Sequence, residues 1–143
     1  MSIGRITSMT PSGRTVFAVT WDDGHRAEID FAPLAKAHPK LAPLLDPDDF
    51  PVASDDGWSI EWQRSGIDLG AAQLRRWADE QAGEAMPAAA FRGWMQGHGF
   101  TLDRAAEALG LSRRTVAYYL SGEQPVPKTV MLATEGYDKR QAA

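Results

Sequence analysis

The sequence predicts an α+β protein, in which a small N-terminal sheet-plus-helix domain is followed by an all-α domain of about four helices. The first half carries apolar residues at alternate positions, the period of a strand, whereas apolar residues after Pro87 recur every three or four positions, as on helices. Charge divides at the same place, since residues 1–84 hold 8 Lys/Arg and 14 Asp/Glu and residues 85–143 hold 7 and 5. We therefore expect domains at residues 1–83 and 87–136, followed by a frayed tail at 137–143.

The composition is that of a soluble globular protein. Of the 143 residues, 43% are hydrophobic and 24% are charged, and the net charge is −4. No apolar run approaches the ~20 residues that cross a bilayer, and residues 1–5 lack the charged-then-apolar layout of a signal peptide. Because the chain has no cysteine, disulfides, thiolate metal sites and cysteine nucleophiles are excluded. We expect a cytoplasmic protein that does not contact a membrane.

The first 45 residues are expected to form strands and a broken helix. Within residues 15–21, Phe17, Val19 and Trp21 share one face at the period of a strand. The Asp-Asp-Gly-His turn that follows predicts a hairpin over residues 14–31. Residues 3–9 are expected to add a strand before this hairpin. Residues 32–45 are rich in Ala and Leu but contain three prolines, which predicts a short broken helix and turns.

A second pair of strands and a helix complete this domain. Residues 50–53 predict one strand, and Trp58 and Trp62 mark the inward face of the next. The side chain of Asp68 suits a helix N-cap, because it accepts hydrogen bonds from free backbone N–H groups. The helix is therefore expected over residues 69–82.

Four helices are expected beyond this domain, and their ends carry typical capping residues. Pro87 opens the first helix and Pro127 the fourth, because proline fits the first turn of a helix, where no backbone donor is needed. Thr101 and Ser112 cap the second and third, since their hydroxyls accept from free N–H groups. The first three helices end at glycines, which adopt the left-handed conformation without strain: Gly97 or Gly99, Gly110 and Gly122.

The second and third of these helices have the spacing of a helix-turn-helix. Gly110 permits the sharp turn between them, and Leu111 is expected to fill the space that the two helices enclose. Ala105 and Ala106 are small enough to let the helices approach closely. In this motif the second helix lies in the DNA major groove, with its first residues at the base edges.

The helix over residues 112–121 carries side chains suited to DNA. Arg113 and Arg114 occupy its first two positions, and arginine pairs bidentately with guanine O6 and N7. Tyr118 follows one turn later on the same outer side. Phosphate contacts are expected from helix N-termini, from hydroxyls at the edges and from a lysine of the next helix. The residues for these contacts are Thr101, Ser112, Thr115, Ser121 and Lys128.

The stretch over residues 101–116, together with Tyr119 and Gly122, resembles the Cro and repressor class of helix-turn-helix domains, the xenobiotic-response-element-type regulators of bacteria and phages. The resemblance extends over residues 87–136. It implies contacts to bases from Arg113, Arg114 and Tyr118, and to the backbone from Thr101 and Ser121. The chain departs from that class where Thr-Leu-Asp opens the first helix of the pair, since many relatives have a Gln there, and in having four helices rather than five.

The N-terminal half carries three further motifs: Trp-Asp-Asp-Gly at residues 21–24, Leu-Leu-Asp at 44–46 with Phe50, and Ile-Glu-Trp at 60–62 followed by Gly-Ile-Asp-Leu. With these motifs, the N-terminal half resembles the bacterial domain of unknown function 2442, and the resemblance covers about residues 1–80. That family is a small α+β module, sometimes fused to a helix-turn-helix, and the resemblance implies no chemistry.

Other polar and aromatic clusters are better explained by structure than by catalysis. Three carboxylate pairs, at residues 22–23, 48–49 and 55–56, accompany predicted turns, where aspartate bonds to its own backbone; an acid/base or metal role is the less favoured alternative. The histidines lack metal-ligand spacing, and no phosphate loop or nucleophile elbow occurs. We expect no catalytic residue, metal site or cofactor. The tryptophans expected in the core rather than in a ligand cleft are Trp21, Trp58 and Trp62.

These observations predict a sequence-specific regulator of transcription that binds double-stranded DNA. One helix covers only a few base pairs, so a homodimer on two half-sites one helical turn apart is expected. The acidic N-terminal domain is expected to face away from the phosphates and to supply dimerisation or bind a protein partner. The alternative is a protein-interaction adaptor, such as the partner half of a toxin–antitoxin pair, whose helix-turn-helix does not bind DNA.

Overall fold

The computed structural model describes residues 4–54 and 56–142, and it divides the chain into two compact units between Ala78 and Asp79. The predicted α+β class is confirmed, because the described part of the first unit is mainly strands and that of the second mainly helices. Three predictions fall partly outside the described residues: the strand containing Ile3, the pair containing Asp55 and the tail ending in Ala143.

The described part of the first unit contains six strands: β1 (Ile6–Pro11), β2 (Val16–Trp21), β3 (Arg26–Asp30), β4 (Pro51–Ala53), β5 (Ser59–Trp62) and β6 (Ile67–Gly70). They form two three-stranded antiparallel sheets, of order β1-β2-β3 and β4-β5-β6. Helix α1 (Phe31–Ala37) and a 3₁₀ segment (Pro39–Leu45) connect the sheets, which confirms the predicted broken helix. Helix α2 (Ala71–Gln81) follows β6.

Three aromatic rings lie at the centre of the first core. The ring centroids of Phe17 and Phe31 are 5.5 Å apart, and that of Trp62 lies 6.2 Å from Phe17 and 5.7 Å from Phe31, all edge to face. Trp62 and Trp21 are fully buried, as predicted. The Nε1 of Trp21 also donates to the carbonyl oxygen of Ala71 at 3.2 Å, which attaches the start of α2 to the core.

Two predictions for the second sheet are wrong. Trp58 is 41% exposed rather than buried, because it precedes β5, which begins only at Ser59. The centroid of its ring lies 5.6 Å from the Arg5 guanidinium carbon. Asp68 does not cap a helix, because it lies in β6, opposite Glu61 of β5. Because residues 67–70 pair with β5, the helix begins at Ala71, two residues later than expected.

The described part of the second unit contains four helices beyond α2: α3 (Ala88–His98), α4 (Leu102–Leu109), α5 (Arg113–Ser121) and α6 (Lys128–Ala142). A two-stranded ribbon, β7 (Ala85–Met86) with β8 (Val126–Pro127), pairs the segments that precede α3 and α6. Strands of two residues have no period to detect, so the sequence did not predict the ribbon. Pro127 belongs to β8, and α6 therefore starts one residue later than expected.

The tail expected to fray at Tyr137 is instead the second half of α6. The ring of Tyr137 lies 5.8 Å from Trp94 and 5.7 Å from Phe100. Asp138 accepts a hydrogen bond from the Nε1 of Trp94 at 2.8 Å and pairs with the Nε2 of His98 at 2.7 Å. These contacts hold the end of α6 against α3, which the local sequence does not reveal.

The carboxylates at the turns bind backbone groups. Asp23 accepts from the N–H of His25 and Asp56 from that of Trp58, each at 3.0 Å, so the turn interpretation is confirmed for both. These bonds are the main cause that lowers the pKa of Asp23 and of Asp56 below the ordinary value. Among the described residues, no group of three His, Asp or Glu is placed to hold a metal ion. No helix of that part of the chain is long and apolar enough to cross a membrane.

Replacing the two tryptophans of the second sheet tests their different burial. Trp62→Ala removes a fully buried ring and should lower the free energy of unfolding by about 3–5 kcal/mol. Trp58→Ala, at the exposed position, should cost at most about 1 kcal/mol. Urea denaturation followed by circular dichroism measures both, and equal losses would contradict the assigned core.

The contact between Asp138 and α3 predicts a dependence on pH. Hydrogen bonds from His98 and Trp94 hold the pKa of Asp138 below its ordinary value of 3.8. The carboxylate therefore adds stability above that value, and the contribution is lost as the pH falls through the folded-state pKa. The stability difference between the wild type and Asp138→Asn should be larger at about pH 5.5 than at about pH 2.5. If the stability difference between the wild type and Asp138→Asn does not change with pH, the hydrogen bonds of the Asp138 carboxylate are not its source.

Candidate nucleic-acid interface

A three-residue turn joins α4 to α5, and glycine makes it possible. Gly110 has φ +71°, in the left-handed region, and its N–H bonds back to carbonyls of the last turn of α4. The N–H of Leu111 donates to the carbonyl oxygen of Ala106 at 2.8 Å. These bonds end α4 and fix where α5 begins.

Small side chains bring α4 and α5 together, as predicted. Ala105 and Val116 are fully buried, and Ala106 is 6% exposed, in the core that the two helices share. Leu111 is half-buried against the same core, so it fills the space at the turn. The direction of α5 is therefore set by packing along its inner side.

Both predicted N-caps are confirmed. The hydroxyl oxygen of Thr101 accepts from the N–H of Arg104 at 3.2 Å, and that of Ser112 accepts from the N–H of Thr115 at 3.1 Å. The Ser112 and Thr115 hydroxyls also lie 2.8 Å apart in a hydrogen bond. Thr101, Ser112 and Thr115 thus have local partners, while the first backbone N–H groups of α5 point out of its N-terminal end.

The first of the two arginines on α5 lies beside a carboxylate. Arg113 Nε is 3.7 Å from Asp103 Oδ1, and the side chains are 67% and 78% exposed. Such an exposed pair is weak and is screened by salt. Because Asp103 belongs to the first turn of α4, the N-terminal turns of both helices lie within side-chain reach of each other.

The second arginine binds a phenol. Arg114 Nε donates to the Tyr118 hydroxyl oxygen at 2.7 Å, and its guanidinium carbon is 5.3 Å from the centroid of the Tyr118 ring. Arg114 is exposed and Tyr118 is half-buried. Sequence reasoning placed these residues on one side of α5 but missed their contact, although the spacing of four residues could have indicated it.

The remaining predicted phosphate contacts lie elsewhere. Ser121 donates to the Tyr118 carbonyl oxygen at 3.1 Å and accepts from the N–H of Glu123 at 3.3 Å, at the C-terminal end of α5. Lys128 Nζ is 3.3 Å from Glu84 Oε1, at the start of α6. Within the described part of the chain, neither side chain contacts Arg113 or Arg114.

Sequence reasoning also missed a residue that holds the far end of α5. Arg92 Nη2 donates to the carbonyl oxygen of Leu120 at 2.8 Å, which satisfies a carbonyl that the end of the helix leaves without an intrahelical donor. No local pattern indicates this bond, because 28 residues separate its partners.

The positive charge of the site is local to α5. With the boundary after Ala78, the second unit holds 7 Lys/Arg and 8 Asp/Glu, because Asp79, Glu80 and Glu84 fall within it. The small basic excess calculated for residues 85–143 is therefore not a property of the whole unit. Attraction of a polyanion depends on where the arginines lie rather than on net charge.

Known proteins resemble this chain in both halves. Residues 6–80 match the family described as "Protein of unknown function (DUF2442)", which confirms the predicted resemblance of the N-terminal half. The chain is also similar to a chain in the crystal structure of "Putative DNA Binding Protein NE0471" from Nitrosomonas europaea ATCC 19718. The similarity covers 96% of this chain and 88% of that chain, with 34% sequence identity and a TM-score of 0.53. No curated protein matches the chain. Because the family match spans more than half of the sequence, the chain belongs to the DUF2442 family.

Proposed function

We propose that this chain is a sequence-specific DNA-binding protein that regulates transcription, and that α4 and α5 form a helix-turn-helix. One observation carries the proposal: Arg113 and Arg114 are exposed on the first turn of α5, whose inner side is packed against α4. In a helix-turn-helix, this first turn meets the base edges of the major groove. The chain serves binding rather than catalysis.

The proposed contacts follow from what each side chain can reach. Arg113 and Arg114 contact base edges, where a bidentate arginine–guanine pair contributes roughly 1–3 kcal/mol of discrimination. The N-terminal ends of α4 and α5, which Thr101 and Ser112 cap, bind phosphates through backbone N–H groups and the helix dipole. Ser121 and Lys128 are secondary, because they lie at the C-terminal end of α5 and at the start of α6 rather than on the first turn of α5.

The likeness to NE0471 supports a DNA partner. That protein is named "Putative DNA Binding Protein NE0471", and the similarity extends over nearly the whole of this chain. We extend the proposal to a homodimer in the cytoplasm, since one recognition helix reads only a few base pairs. The expected operator has two related half-sites about 34–36 Å apart.

Selection from random DNA by the purified full-length protein tests the proposal. An enriched motif with two-fold symmetry, bound far more tightly than its scrambled counterpart at the same salt concentration, is the expected result. Absence of enrichment, with weak binding at every salt concentration, would contradict DNA recognition and favour a protein-docking role for α4 and α5.

Substitution of the two arginines tests the placement of α5. Arg113→Ala or Arg114→Ala should weaken binding to the selected motif by roughly 1–3 kcal/mol and relax the preference at one base pair of each half-site. Fluorescence anisotropy titrations measure the affinity, and repeated selection measures the preference.

Arg64→Ala is the matched control. Its side chain is 64% exposed beside Asp48, much as Arg113 is 67% exposed beside Asp103, but it lies in the first unit. This control should leave affinity and preference unchanged. If Arg64→Ala weakens binding while Arg113→Ala and Arg114→Ala do not, another surface binds the DNA.

A further inference from the structure

We propose that Tyr118 is a positioning residue for Arg114, and that it acts on DNA recognition through that arginine rather than by contacting a base. The inference rests on the proposed function, and it assigns Tyr118 a role different from the base contact that the sequence resemblance implies. The phenol hydroxyl and the ring together hold the guanidinium before DNA arrives.

Two contacts fix the guanidinium. Its Nε–H donates to the Tyr118 hydroxyl at 2.7 Å, within the range of a strong hydrogen bond, and its central carbon lies 5.3 Å from the ring centroid. Residues four apart on a helix are neighbours, so this contact lies within ordinary reach of both side chains.

The bond leaves the recognition end of Arg114 available. Arginine has five N–H donors, of which Nε carries one and the two terminal nitrogens carry four. Tyr118 takes the Nε donor, and within residues 4–54 and 56–142 the four terminal N–H groups have no partner. Two of these parallel donors match the paired acceptors of guanine, O6 and N7.

The support itself is held in place. Tyr118 is half-buried, and its backbone carbonyl accepts from the hydroxyl of Ser121 at 3.1 Å and from the N–H of Gln124 at 3.3 Å. A tyrosine has few rotamers to lose, whereas an unsupported arginine loses much conformational entropy when it binds. A contact made in advance reduces that loss, which is how a preorganised group binds more tightly.

Arg113 provides the contrast within the same turn. Its partner is the charged carboxylate of Asp103 at 3.7 Å, on α4, and Tyr118 does not contact it among the described residues. Arg114 therefore lies against a neutral group, whereas Arg113 must exchange a carboxylate for DNA. Tyr118 is expected to couple to Arg114 alone.

Tyr118→Phe tests the inference, because it removes the hydroxyl and keeps the ring. Binding to the selected motif should weaken about 3- to 10-fold, the cost expected when one long side chain must be immobilised on binding. The base preference that relaxes should be the one that Arg114→Ala also relaxes. Affinity for scrambled DNA should stay unchanged, and the variant should remain folded in a thermal melt. A merely structural role for the hydroxyl would instead weaken binding to both DNAs alike.

Double-mutant cycles separate positioning from direct contact. In the Arg114→Ala background, Tyr118→Phe should have no further effect on binding, since the group it positions is gone. In the Arg113→Ala background, the matched control, it should still weaken binding about 3- to 10-fold. In the unbound protein, the Nε–H proton of Arg114 should exchange with water faster in Tyr118→Phe than in the wild type, as followed by nuclear magnetic resonance.

The contradicting outcomes are distinct. Undiminished weakening by Tyr118→Phe in the Arg114→Ala background would show that Tyr118 contacts DNA itself, and would overturn the inference. If the wild type selects a motif and Tyr118→Phe binds that motif equally well, the inference about Tyr118 is wrong. The proposed function would still stand. If the wild type selects no motif, the proposed function fails and the inference fails with it.

Discussion

The arrangement of the candidate DNA-binding face depends on the turn between α4 and α5. Gly110 takes a left-handed conformation that other residues adopt only with strain, and the chain then turns within three residues. Leu111 packs against the core, and contact between the inner sides of the two helices, at Ala105 and Val116, sets the direction of α5. Ser112 caps the helix immediately before the two arginines, so both lie on its first, exposed turn. The geometry of this candidate face is thus a consequence of backbone conformation and apolar packing.

Electrostatics act locally in this protein. The net charge is −4, so the field of the whole molecule does not attract DNA, and the proposed specificity depends on a few well-placed groups. The two arginines are held differently, one beside the Asp103 carboxylate and the other against the neutral Tyr118 phenol. An acidic protein with only a few exposed cations should bind random DNA weakly, because non-specific affinity depends mainly on how many phosphates its Lys and Arg side chains neutralise.

Local signals explain which parts of the structure the sequence could predict. The caps at Thr101 and Ser112 and the turn at Gly110 are encoded within a few residues, so their positions were predicted correctly. Predictions that depended on distant partners were wrong: Asp68 joins a strand because β5 pairs with it, and Tyr137 stays helical because α3 contacts it. At the site, the Arg114–Tyr118 contact was within reach of sequence reasoning through its helical spacing. The Asp103–Arg113 pair was not, because it requires the packing of α4 against α5.

The central claim is that the outer side of α5 faces DNA, and directed cleavage tests it most directly. Because the chain has no cysteine, Ala117→Cys introduces a single thiol on that side of α5, to which a DNA-cleaving reagent can be attached. We expect cleavage of the selected operator at one short stretch in each half-site. The control Glu28→Cys, an exposed position on β3 of the acidic first unit, should give none. Cleavage from the control and none from α5 would contradict the account.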